Sequence, residues 1–73
     1  MMEYTVNMHD AAEGGYWVEV PSLPGCFSQG ETLDETLEIA RKAIRRHIEA
    51  LREERMPVPL DGGLVLARVA IGR

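Results

Sequence analysis

The side chains most able to do chemistry in this chain are two glutamates on strand-patterned stretches, Glu3 and Glu19, the one cysteine, Cys26, and the two histidines, His9 and His47. A two-metal nuclease needs several carboxylates converging on ions about 3.5–4 Å apart. Glu3 and Glu19 cannot make that cluster by themselves, and both read as solvated strand residues. Closed zinc sites take four ligands, commonly in short-spaced pairs. His9, Cys26 and His47 stand far apart along the chain, so Cys26 reads as a small packing residue and His47, next to Ile48, as the edge of an apolar helix stripe. The cationic run Arg41, Lys42, Arg45 and Arg46 has the charge for an RNA face, but Glu38 and Glu49 border it and no aromatic residue interleaves for base stacking, so it reads as a solvated helix face. Nothing here calls for catalysis, a metal or a cofactor. Function must lie in what the surface binds.

The balance of charge bears on that partner. Twelve acidic residues face eight Lys and Arg in 73 residues, for a net charge of −4. This disfavours general binding to a phosphate backbone and favours a basic partner. A chain this short buries only about 60% of its unfolded surface, which predicts one domain over 1–73 with a marginal core and a tendency to self-associate. The start MMEYTV lacks the basic and apolar regions of a signal peptide, and no apolar run approaches the roughly 20 residues of a membrane span. With one cysteine there is no internal disulfide. The expected compartment is the cytoplasm.

The elements follow from periodicity. In Glu3–His9, Tyr4, Val6 and Met8 alternate with polar residues, which predicts a half-buried strand. Gly14 and Gly15 close a loop into a second strand, Tyr16–Val20, with Trp17 and Glu19 on the face opposite Tyr16, Val18 and Val20. The run Pro21–Gly30 enters a short third strand, Cys26–Gly30, through a tight turn at Pro24 and Gly25, and Gly30 lets the chain swing into a helix cap. Thr32 and Glu35 have the spacing of a capping box, each side chain reaching the other residue's backbone N–H. Leu33, Leu37, Ala40, Ile44, Ile48 and Leu51 then form one apolar stripe, Glu38 with Lys42 and Arg45 with Glu49 make ion pairs at spacing four, and Pro57 and Pro59 require a stop near Arg55. Leu64–Ile71 reads as a fourth strand.

This β-β-β-α-β order predicts an α+β, two-layer fold: a mixed sheet of order 3-2-1-4 with one helix across one face. The other sheet face stays open, with Trp17, Leu64 and Leu66 on it and strand four at the edge, which predicts a homo-oligomer, a dimer or higher, through those residues.

The run from Trp17 to Glu35, with its Pro24-Gly25 turn and Thr32/Glu35 cap, the helix residues Ala40, Ala43, Ile44, His47, Ile48 and Leu51, and the Pro57-Val58-Pro59 exit together resemble the HicB-like antitoxin family over most of the chain. The resemblance implies a partial ribonuclease-H-like fold of the same element order and neutralisation, without chemistry of its own, of a small basic RNA-cleaving toxin of the HicA type by occlusion of its active site. Glu13, Glu19 and Glu31, the acids on the loops and strand edge, are the expected toxin-binding residues. Many family members carry a C-terminal DNA-binding domain, whereas this chain stops at Arg73 after the fourth strand, so DNA binding alone is not expected. The alternative is a stand-alone oligomer with a different ligand or an RNA-binding role.

Overall fold

The structure, a computed structural model, describes residues 2–62 and 67–72. Its elements are β1 (Asn7–Asp10), β2 (Tyr16–Glu19), β3 (Phe27–Gly30) and α1 (Leu33–Glu53). The strands form an antiparallel sheet in the order β1-β2-β3, and the helix lies across one face, over β3 and β2. This is an α+β arrangement. The register pairs Met8 with Val18 and Ser28 on the helix-facing side, while His9, Trp17 and Gln29 line up on the other side.

Strand β1 starts later than its alternation suggested, but Tyr4 and Val6 still pack on the core cluster of Val20, Leu23 and Cys26. The hairpin loop closes through Ala11 N–H to the Gly15 carbonyl and Gly14 N–H to the Ala11 carbonyl, with Gly14 and Gly15 both at positive φ. Between β2 and β3 the chain folds into two linked turns. Leu23 N–H donates to the Val20 carbonyl, Cys26 N–H to the Leu23 carbonyl, and Val20 N–H to the Cys26 carbonyl. Pro24 and Gly25 are the central residues of the second turn, and Gly25 has φ +85°, the type II geometry that Pro-Gly favours. The turns drive Leu23 wholly out of water. Burying a leucine contributes about 1.5–3 kcal/mol, so this polar-looking segment is part of the core.

The helix begins at its cap. Thr32 Oγ1 accepts the Glu35 N–H at 3.1 Å, but no return bond from the Glu35 side chain is present among the described residues, so half of the expected box forms. Thr36 takes the inward position instead: it is fully buried, and its hydroxyl donates to the Thr32 carbonyl at 2.6 Å. The apolar stripe is correspondingly displaced. Thr36, Ala40 and Ile48 are buried, with Ala43, Ile44 and Leu51 against the core, while Leu33 and Leu37 remain about half exposed. The reason lies beneath Thr36, where a Cβ added to Gly30 would come 2.6 Å from Thr36 Oγ1. The helix passes too close to the sheet there to seat a leucine. The expected pairs Glu38–Lys42 and Arg45–Glu49 are replaced by Glu38–Arg41 at 3.8 Å, the sole helix ion pair among the described residues. The helix stops before its prolines, with Arg55 at φ +56°, its N–H donating to the Arg52 carbonyl and Met56 N–H to the Leu51 carbonyl, a Schellman ending.

The fourth-strand expectation meets a different outcome. Leu64 and Leu66 lie outside the described residues, and residues 67–72 have no strand pairing, so among the described residues the sheet has three strands and the position beside β1 is empty. What is fixed is the approach to it. Tyr4 O–H donates to the Pro59 carbonyl at 2.6 Å, and Asp61 accepts from Thr5 Oγ1 at 2.7 Å and Ser22 Oγ at 2.9 Å. Those hydrogen bonds, Thr5 first, hold the Asp61 carboxyl below its ordinary range.

Two outcomes follow from these contacts. Thr32→Ala removes one side of the cap and is expected to cost about 1 kcal/mol, read as a lower melting temperature in calorimetry with the helix content of the folded state unchanged. Asp61 binds its proton more weakly folded than unfolded, so its contribution is complete above the unfolded pKa of about 3.9 and disappears as pH falls through the lower folded value. The melting-temperature gap between wild type and Asp61→Asn is therefore expected to be constant near neutrality and to close in acid; a gap independent of pH would remove the carboxylate from the account.

Candidate functional site

The hairpin loop, the end of β3 and the first helical turn meet at one end of the sheet, where they enclose an open cleft of about 510 Å³. Glu13 comes from the loop, Glu31 from the link between β3 and α1, and Glu35 from the helix, with Tyr16 and Gln29 beneath them. Local geometry dictates the convergence. Gly15 lies against Gly30 so closely that a Cβ on Gly15 would stand 2.5 Å from the Gly30 carbonyl oxygen. Gly30 in turn lies under Thr36. Three chain segments can approach one point only because two of them lack side chains there.

The sign of the cleft is settled by magnitudes. A helix N-terminus carries roughly half a positive charge, which three carboxylates outweigh, and Asp34 in the first helical turn adds a fourth. The cleft is therefore negative. Carboxylates on such a rim accept from an Arg or Lys donor at low desolvation cost, because all three stay in contact with water. Exposed carboxylates placed together in this way suit accepting hydrogen bonds from a cationic side chain.

The trio chosen from sequence is split. Glu13 and Glu31 share the cleft, joined by Glu35, which in the sequence reads as a capping residue and not as part of a binding surface. Glu19 sits near the other end of β2, on the face away from the helix, where it accepts from Asn7 Nδ2 at 3.3 Å and lies 3.4 Å from His9 Nε2. Trp17 occupies the same face as expected and is stacked on His9, the rings 4.1 Å apart and 16° from parallel. Phe27, 62% exposed, lies beside it on β3. Trp17 is thus covered partly by its cross-strand neighbour. Its oligomer partners by sequence, Leu64 and Leu66, fall outside the described residues.

The remaining candidates stay apart. Cys26 is buried, its thiol pushed up by desolvation, and lines a small hollow with half-buried His47, while His9 is on the far sheet face. Among the described residues no three His, Cys, Asp or Glu side chains are grouped to hold a metal ion. Arg41 and Arg45 border a groove with Tyr4 and Ile48. No helix among the described residues is long and apolar enough to cross a membrane. The missed member of the cleft, Glu35, had a signal in the sequence: a first-turn acid next to a glycine-ended strand points at the same place as Glu31.

Comparison with known proteins gives a consistent result. Residues 4–67 match the model of the HicB-like antitoxins of bacterial toxin–antitoxin systems. A UPF0150 protein of Thermoplasma acidophilum is 45% identical over 60 residues, covering 82% of this chain and 87% of that protein. Antitoxin HicB 1 of Photorhabdus laumondii is 38% identical over 61 residues, 84% of this chain and 39% of that protein. Antitoxin HicB of Escherichia coli K12 is 35% identical over 63 residues, 86% and 46%. The chain thus spans less than half of either named antitoxin.

The cleft depends on the bare backbone at Gly15, which also has φ +76°. Gly15→Ala is expected to cost more than about 1 kcal/mol, since both its φ and its Cβ are incompatible with the native loop, while Gly14→Ala, with nothing within 4 Å of its Cβ, costs less. Chemical denaturation of the two variants checks the order.

Proposed function

This chain belongs to the HicB-like antitoxin family, and on that premise we propose that it binds and neutralises a small, basic, RNA-cleaving toxin of the HicA type in the cytoplasm, by covering the toxin's active site rather than by chemistry of its own. The observation that carries the reading is the acidic cleft of Glu13, Glu31 and Glu35. A toxin that grips RNA presents cationic side chains where the phosphates pass. An Arg or Lys from that surface entering the cleft gains charge-assisted hydrogen bonds and at the same time withdraws from RNA. One contact then does both jobs. The net charge of −4 adds steering at long range.

The single domain over 1–73 is the toxin-facing unit in this proposal, and the sheet position beside β1 is the place of the fourth strand that completes the partial ribonuclease-H-like order 3-2-1-4. Homo-oligomerisation belongs to the same reading, and Glu19 moves from the toxin surface to the opposite face of the sheet with Trp17.

Co-expression with a HicA-type toxin tests it. Glu13→Lys with Glu31→Lys is expected to abolish growth rescue and to slow association in surface-binding kinetics by about tenfold or more at low salt. Glu19→Lys is expected to leave rescue and association close to wild type. Retained rescue by the folded double variant, shown by circular dichroism, would remove the cleft from toxin binding.

A further inference from the structure

The fold changes the setting of the cationic run on α1. Over residues 41–52, Arg41, Lys42, Arg45, Arg46 and Arg52 stand against one carboxylate, Glu49, a local charge of +4 in a chain of −4. Among the described residues this stretch makes one ion pair, Arg41 with Glu38 at 3.8 Å, so Lys42, Arg45 and Arg46 keep their donors for another molecule. All three are exposed. The charges are sorted in space, with glutamates at the cleft end and arginines along the middle of the helix. Glu35 and Arg46 are separated by about 16 Å of helix, twice the Debye length of about 8 Å in physiological salt. An anion beside Arg46 is therefore attracted by the nearby cations and hardly repelled by the acidic end.

Aromatic rings stand next to these cations once the sheet is in place. Phe27 lies on β3, which pairs only with β2 among the described residues, and it is 62% exposed. It shares one hollow with Arg46 and His47, and a shallow depression of about 360 Å³ with Trp17 and Gln29. Phe27 is the corner where the two surfaces join. Trp17 is its diagonal neighbour on the face away from the helix, and Glu19, the carboxylate next to them, is engaged by Asn7 Nδ2 at 3.3 Å and His9 Nε2 at 3.4 Å. One surface thus runs from unpaired cations over the border of β3 to exposed aromatic faces and an amide.

We propose that this surface binds single-stranded nucleic acid, with phosphates on Lys42, Arg45 and Arg46 and bases stacked on Phe27 and Trp17. Cations along the backbone with aromatic faces beside them are the two parts such a site needs. Lys42 and Arg46 are one turn apart, about 6 Å along the axis, close to the phosphate repeat of an extended strand. A duplex keeps its base faces stacked inside, so it reaches the arginines but not the rings. The Gln29 amide both donates and accepts, which fits a site with little preference among bases. None of these residues belongs to the cleft of Glu13, Glu31 and Glu35, so this inference and the toxin reading can each fail without the other.

Fluorescence anisotropy of the full chain with labelled strands of about 12 nucleotides tests it, using an oligo(U) RNA, an oligo(dT) DNA and a DNA duplex of equal length. In low salt a single strand is expected to bind with a Kd of about 1–100 µM and a log–log salt slope of about −2, that of three phosphates. The duplex is expected to bind about fivefold more weakly or worse. Arg45→Gln with Arg46→Gln is expected to flatten the slope by about 1.4 and to lower affinity about tenfold, whereas Phe27→Ala lowers affinity about tenfold with the slope unchanged. All three side chains are exposed, so the variants keep the fold, as circular dichroism checks. Trp17, the one tryptophan, supplies a second readout, because a base stacked on it is expected to quench its emission. The RNA and DNA arms show which strand is preferred, and either one above the duplex supports the site. Absence of binding at about 100 µM protein, a duplex held as tightly as both strands, unchanged affinity in the arginine variant, or binding that leaves Trp17 emission unaltered would overturn it.

Discussion

The contact between Gly30 and Thr36 is the constraint on which the rest of the molecule is arranged. It sets the helix so close to the end of β3 that nothing larger than a hydrogen is accommodated on the strand, where a Cβ would stand 2.6 Å from Thr36 Oγ1. The Thr36 hydroxyl, buried at that point, is satisfied by the Thr32 carbonyl, which ties the depth of packing to the helix cap. Gly15 rests against the same glycine from the other side. The hairpin loop, the strand end and the helix start are thereby brought to a common point, and the acidic side chains of all three project around it. Close packing thus makes the cleft, and the sequence places glutamates at its rim.

That constraint also explains which parts of the molecule were legible beforehand. The order of the first three strands and the helix, the cap at Thr32, the positive φ of Gly14, Gly15 and Gly25, and the placement of Trp17 opposite the helix all follow from local rules, and each could be read from neighbours in sequence. Thr36 and Leu23 could not. A threonine inside a leucine-rich stripe looks like a polar interruption, and only a glycine on a distant strand makes it the best-fitting residue. Leu23 stands among prolines, a serine and a glycine, where composition suggests a surface loop; its burial depends on two successive turns folding inward together.

The acidic site shows the same division. Glu13 and Glu31 could be picked as acids outside the helix, but which acids share a surface is a question of register. Glu19 alternates to the far side of β2 and pairs with Asn7 and His9, a consequence of strand geometry that charge alone does not encode. The helix stripe likewise runs past the end of close contact: Leu33 and Leu37 have the right spacing for a core yet remain about half exposed. Among the described residues the sheet has three strands and the helix packs on β3 and β2, so the apolar face of the helix is wider than the surface beneath it.

The one cysteine adds something to the turn segment that holds it. Cys26 is inside, its thiol pushed up by burial, and its backbone takes part in two of the three hydrogen bonds that shape the loop. A protonated, enclosed sulfur is a poor nucleophile toward disulfides and alkylating reagents, so this sulfur becomes reactive only in the moments when the turns come apart. The rate at which a thiol reagent consumes it is thus a built-in clock for breathing of the core, readable in the unaltered protein and, with one sulfur per chain, free of any competing signal.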